Sequence, residues 1–261
     1  MTFIEVNDNR INFKIEGHGF PVVLIHGFSD DLYFWEYIAE NLKKYFTVIR
    51  MDLRGHGKTP IGDKPIDNRL LAHDITELLK KLYIEKCHVI GFSLGGSIAL
   101  EIALKNPKLV KSLVLLSTFA SANEHIVAKF KELNKALKKS YETFFDVIIP
   151  YVLPEDIIEE NIDKLNRTKE IKAEHANTKD LRRVLYGAVQ YDELNNIKRI
   201  NCKTLIIAAK EDPIVPYENS VKISEKINNS TLVLEDYVKH DILINENREH
   251  VLNEILEFLR N

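Results

Sequence analysis

Two hydrophobic periods alternate along most of the chain. Residues 2–6 (Thr-Phe-Ile-Glu-Val) and 11–15 (Ile-Asn-Phe-Lys-Ile) alternate apolar and polar, as an antiparallel, half-exposed hairpin does. Residues 21–25 (Pro-Val-Val-Leu-Ile) form an unbroken apolar run, the pattern of a strand buried on both faces. Residues 32–45 change to helical spacing, with Leu32, Trp35, Ile38, Ala39 and Leu42 on one side. A strand over 46–51, a helix over 67–82, a strand over 87–90, a helix over 93–106 and a strand over 112–116 follow. The rhythm then stops. Between residues 119 and 195 no strand is predicted, and apolar residues recur at helical spacing (Ile126, Phe130, Leu133, Leu137; Phe144, Phe145, Ile148, Ile149; Leu181, Val184, Leu185, Ala188), with Pro150 and Pro154 as breaks. This reads as an all-helical insertion of three or four helices. Strands return at 204–209 and 231–234, separated by a helix near 220–227, and a final helix is expected from about Glu246 to residue 259. Strands alternating with helices imply an α/β fold, a mostly parallel sheet covered on both faces with ligands gathering at the strands' carboxyl ends. The expected division is a core of residues 1–118 and 196–261 and an inserted unit of residues 119–195.

Composition narrows the function classes. A chain of 261 residues with 45% hydrophobic and 29% charged residues can bury a sizeable core. A net charge of −3 argues against nucleic acid as a partner. No apolar run is long enough to span a bilayer, and the first residues lack a basic stretch followed by an apolar one, so a cytoplasmic protein without a membrane partner is expected. Oligomeric state is not legible, and a homodimer stays open. The two cysteines, Cys87 and Cys202, each begin an apolar run and read as small buried thiols. Neither has Cys or His neighbours at metal-ligand spacing, so no metal and no cofactor are expected.

The chemistry concentrates at Gly91-Phe92-Ser93-Leu94-Gly95, between an apolar run and a predicted helix. A serine on a sharp strand-to-helix turn projects its hydroxyl out of the fold. Such a turn strains the serine backbone, and side chains at 91 or 95 would collide with the neighbouring strand or helix. A serine nucleophile needs a base, and the base needs an orienting carboxylate. His240 is the candidate base because its loop lies between the last strand and the final helix, at the same end of the sheet as Ser93. Asp212 is the candidate acid. It follows the 204–209 strand, and Pro213 and Pro216 fix its loop. Glu211 is the fallback, and Asp241 is expected to point elsewhere. A fourth element, His26-Gly27-Phe28, follows the buried 21–25 strand. The Phe28 and Leu94 N–H groups would together form a two-donor oxyanion hole. His26 is read as structural support, with Gly27, Gly91 and Gly95.

These elements, with Asp52-Leu53-Arg54-Gly55-His56-Gly57-Lys58-Thr59, resemble a cap-bearing α/β-hydrolase over nearly the whole chain, in the order serine, acid, histidine. The resemblance implies that residues 52–59 are a structural loop near the site and that residues 119–195 cap the pocket. Phe144, Phe145 and Ile148 are assigned first to the cap's own core and second to the pocket wall. Serine at position 93 argues against dehalogenases and epoxide hydrolases, whose nucleophile is Asp. The single tryptophan, Trp35, is read as core. His18, His73, His88, His125, His175 and His250 have no obvious partners. The expected activity is that of a carboxylesterase acting on a small-molecule ester of short to medium acyl chain through an acyl-enzyme. Lactonase, carbon–carbon hydrolase, perhydrolase and aminopeptidase activities remain alternatives within the fold, and the alternative of another class is a non-catalytic small-ligand receptor that keeps the fold without turnover.

Overall fold

A computed structural model describes residues 2–245 and 247–260. Strands β1 (Thr2–Val6) and β2 (Asn9–Gly17) form the expected antiparallel hairpin. Then come β3 (Phe20–Ile25), a 3₁₀ turn at Leu32–Trp35, α1 (Glu36–Leu42), β4 (Phe46–Met51), α2 (Asn68–Lys81), β5 (Cys87–Phe92), α3 (Leu94–Lys105) and β6 (Val110–Leu116). The insertion holds α4 (Glu124–Leu137), α5 (Tyr141–Val152), α6 (Glu155–Glu160), α7 (Ile162–His175) and α8 (Thr178–Ala188). The chain finishes with β7 (Lys203–Ala209), α9 (Glu218–Lys226), β8 (Ser230–Glu235) and α10 (Asn247–Arg260). Glu246, the expected start of the last helix, lies outside the described residues.

The strands form one sheet in the order β1-β2-β4-β3-β5-β6-β7-β8, antiparallel as far as the β2–β4 pair and parallel from there on. Alternation along each strand divides the core into two layers. In β3, Val22 and Leu24 face α1 and α10, against Trp35, Ile38, Val251 and Ile255. Val23 and Ile25 face the opposite way, against the α2 and α3 residues Leu71, Ile75, Ile98 and Ile102. Trp35 is fully buried, as expected of a core residue. Cys87 is buried and Cys202 only half-buried, and neither is paired.

The insertion contains five helices rather than three or four. α7 buries no residue, so it carries no apolar stripe for a sequence pattern to reveal. α5 continues through Pro150, and Pro154 opens the short α6. Among the described residues, the only ladder contact in the insertion is an isolated bridge between Ser121 and Asp192. It ties the segment leaving the core to the segment returning to it.

The loop after β4 is held down by charge. Arg54 is buried and pairs with Asp74 on α2, its Nη2 donating to Asp74 Oδ1 at 2.9 Å and to the Asn7 carbonyl at 3.0 Å. Asp52 accepts from Leu32 N, Lys58 N and Asn12 Nδ2, each at 2.8 Å. Removing one member of a buried ion pair strands the other charge, at about 3–5 kcal/mol. Asp74→Ala is therefore expected to lower the melting temperature by about 10 °C. A thermal scan showing a fall of less than about 3 °C would refute this role for the pair.

Candidate active site

Strand ends deliver the site. β5 ends at Phe92, and Ser93 adopts φ 52° and ψ −118°, a left-handed backbone rare outside glycine. The turn fits only between small neighbours. A Cβ at Gly91 would lie 2.3 Å from the Gly95 carbonyl oxygen, and one at Gly95 would lie 2.2 Å from that of Ile25. Ser93 N donates to Leu116 O at 2.9 Å, and Thr118 Oγ1 donates to Ser93 O at 2.6 Å, so the end of β6 fastens the turn. Sequence reasoning missed Thr118, because a threonine just beyond a strand carries no mark of its partner.

Ser93, His240 and Asp212 meet in one hydrogen-bonded chain. The Ser93 hydroxyl donates to His240 Nε2 at 2.9 Å, and His240 Nδ1–H donates to Asp212 Oδ2 at 2.6 Å. The other Asp212 oxygen accepts from Ile214 N and Val215 N, both at 2.9 Å. These two bonds fix the carboxylate's orientation, so Asp212 rather than Glu211 faces the imidazole. All three side chains are buried. Asp241 turns one oxygen to Leu243 N at 2.9 Å.

The His240 loop is also tied to the insertion. Lys239 Nζ donates to Pro150 O at 2.8 Å, His240 N to Tyr151 O at 3.4 Å and Asp241 N to Val152 O at 3.2 Å. The last carbonyls of α5, which have no acceptor role inside the helix, thus receive the chain that carries the imidazole. His125, expected to lack a partner, bonds through Nε2 to the Pro213 carbonyl at 2.9 Å and so holds the Asp212 loop from α4.

His26 follows β3 and serves as a brace. Its Nδ1–H donates to Gly27 O at 2.8 Å, and its Nε2 accepts from Leu53 N at 3.0 Å. It therefore joins the Gly27-Phe28 turn to the 52–59 loop as a neutral imidazole. His56 packs edge-on against the His26 and Phe28 rings and bonds to Arg54 O at 3.0 Å. Leu94 opens α3, where first-turn N–H groups have no acceptor within the helix. Phe28 and Ser93 line a common cavity of about 130 Å³ with Phe130, Phe144, Ile148 and Ile214. Phe144, assigned first to the insertion's own core, is fully buried and also forms the cavity wall, stacking edge-on against Phe28 at 5.8 Å. A wider, open cavity of about 610 Å³ adjoins it, and Ser29, Asp30, Tyr141 and Lys172 line both.

The family model described as alpha/beta hydrolase fold matches residues 21–154. The chain belongs to the α/β hydrolase fold family. A second family model, described as TAP-like protein, matches residues 187–261. RutD of Agrobacterium fabrum, a carbamate hydrolase by name, is 30% identical over 242 residues, covering 91% of this chain and 92% of that protein. Two solved structures share the fold. The enol-lactonase of Burkholderia xenovorans LB400 superposes with a TM-score of 0.91 at 19% identity over the whole of both chains. A thermophilic esterase of Thermogutta terrifontis gives 0.86 at 24% identity, covering 97% of this chain and 93% of its own. The family is one of hydrolases, and this chain is a hydrolase of that fold. Among the described residues no helix is long and apolar enough to cross a membrane.

Burial shifts the bracing histidines. It lowers His26 to about 4, against a partial offset from the Gly27 carbonyl, and lowers His56 to about 3, with the neighbouring His26 adding to the effect. A depressed imidazole contributes stability that is present above pH 6.5 and lost as pH falls through the folded-state value. Asp30, which burial raises to about 6, acts in the opposite sense. In nitrogen-15 NMR spectra at pH 5.5, His26 and His56 are expected to remain neutral, whereas a free imidazole in water is largely protonated. Protonated shifts for both at that pH would disprove the brace.

Proposed function

We propose that the protein is a serine hydrolase that cleaves small carboxylic esters through an acyl-enzyme. The observation that carries this reading is the continuous Ser93–His240–Asp212 hydrogen-bond chain at the base of an apolar cavity. His240 Nε2 removes the Ser93 proton as Oγ attacks the ester carbonyl. The resulting imidazolium is stabilised by Asp212, which also holds the tautomer that leaves Nε2 free to accept. The Phe28 and Leu94 N–H groups receive the oxyanion, each such donor being worth about 10²–10³ in rate. The imidazolium then protonates the leaving alcohol, and the alcohol departs. Water, deprotonated by His240, attacks the acyl-enzyme. The acid is released and Ser93 regains its proton, so the cycle closes with one water consumed.

Cavity size supports the short end of the acyl range. A dry, apolar cavity of about 150 Å³ holds a molecule of benzene's size, so about 130 Å³ suits roughly two to six carbons. Residues 119–195 act as the cap in this reading, because Phe130, Phe144 and Ile148 close the cavity over Ser93. The similarity to RutD favours carbamates as a second substrate class, since the same residues can carry a carbamoyl group on Ser93.

Hydrolysis of p-nitrophenyl esters from acetyl to decanoyl tests the proposal. Turnover is expected to peak at six carbons or fewer and to fall by about four to six orders of magnitude in Ser93→Ala. Activity indifferent to that substitution would sink it. Phe144→Ala is expected to move the optimum to longer chains by about two to four carbons, as the removed ring adds volume to the cavity. Turnover of p-nitrophenyl N-methylcarbamate exceeding that of the acetate would favour the carbamate class.

A further inference from the structure

The neck between the two cavities carries charge that the proposed ester chemistry does not use. Asp30 lies at this neck, in the turn that follows Phe28. Its Oδ2 is 3.3 Å from where a Cβ on Gly27 would sit, and the Phe92 ring is 2.8 Å from the same point. The carboxylate therefore faces the oxyanion turn and the aromatic wall together. Lys172 on α7 is the cation beside it, but Nζ is 3.8 Å from Asp30 Oδ1 and 3.5 Å from Ser29 O. Both separations exceed the 2.7–2.9 Å of a well-formed charged hydrogen bond. Asp241 borders the same cavity, with one oxygen engaged by Leu243 N. Two carboxyl groups thus share the cavity with one loosely held ammonium. The same cavity is lined by the aromatic side chains of Phe28, Phe34, Phe92, Tyr141 and Phe144, with aliphatic residues such as Ile148 and Ile214 completing the wall. Aromatic faces attract cations through their quadrupoles, and rings grouped around a carboxylate are suited to an alkylammonium ion.

Building on the hydrolase reading, we propose that the cavity selects substrates bearing an alkylammonium group close to the reacting carbonyl, with Asp30 as the specificity-determining anion. The aromatic wall forms the cage around that group, and Asp241 adds a second negative charge. Lys172 occupies the outer side of the neck and gives way to the incoming cation. The groups facing Asp30 are Lys172 from α7, Tyr141 from α5, Asp241 and His240 from the loop after β8, and its own neighbour Asp31. Burial holds Asp30 at about 6, with Lys172 countering and Asp241 and Asp31 reinforcing the rise. Its charge, and with it the preference for a cation, is present above that pH and fades below it.

Choline and its neutral carbon isostere 3,3-dimethylbutan-1-ol have nearly the same shape and differ in charge. Calorimetric titration of the full chain with each measures the selectivity without requiring turnover. Choline is expected to bind at least about tenfold more tightly at pH 7.5. Asp30→Asn should bring the ratio to within about twofold, Lys172→Met should increase it, and lowering the pH to 5 should erode it in the wild type. Equal binding of the two probes, or a preference that survives both Asp30→Asn and the drop in pH, would overturn the inference. Ser93-dependent hydrolysis of p-nitrophenyl acetate is scored separately. Its absence would refute the esterase reading, whereas the choline ratio alone judges the cation site.

Discussion

The turn at Ser93 is the constraint on which the rest of the site depends. A left-handed serine is unfavourable on its own and persists only because its surroundings leave no alternative. β5 enters from the centre of the sheet, α3 leaves at once, and Leu116 and Thr118 hold the serine's main chain from β6. Neither Gly91 nor Gly95 can accept a methyl group without displacing backbone. This tightness directs the Ser93 hydroxyl at His240 and places the first N–H groups of α3 behind it. The same tightness ties the turn to the core, because β5, which carries it, is buried along its whole length.

Around this point the protein arranges neutral and charged braces differently. The Gly27-Phe28 turn is held by uncharged groups, with His26 joining Gly27 to Leu53 through an imidazole that burial keeps neutral. An imidazolium so deep in the core would need a partner to offset its desolvation, and a neutral ring needs only its two hydrogen bonds. One layer further out, the 52–59 loop relies on the Arg54–Asp74 pair and on Asp52, whose acceptors are nearly all engaged. Charge thus appears where several donors and acceptors can converge on it. The neck at Asp30 and Lys172 departs from that pattern, and the departure is what marks it as a place for a ligand.

The insertion contributes more than cover. The end of α5 receives the His240 loop, His125 on α4 holds the Asp212 loop, and Lys172 on α7 approaches the Ser29 carbonyl beside the Gly27-Phe28 turn. Each moving part of the proposed mechanism is therefore touched by a different helix of the insertion. Any displacement of those helices would be felt at Asp212, His240 and the Gly27-Phe28 turn together.

Residue patterns alone indicated the strands of the sheet and the turn at Ser93, and named His240 and Asp212 as candidates to stand beside it. Buried parallel strands appear as continuous apolar runs, and a strand-to-helix turn around serine tolerates few residues other than glycine beside it. His240 and Asp212 were legible because loops at strand ends are short and converge on one edge of the sheet. Helix α7 was not legible, since it buries no side chain and so has no apolar period. The pairing of Asp30 with Lys172, the His125 bond to the Asp212 loop and the role of Thr118 were decided by tertiary structure alone. Those contacts join side chains and carbonyls from distant parts of the chain, and no local pattern encodes which polar residue will face which. Local sequence sets the conformation of a segment, whereas the partner of a charge depends on how the layers pack.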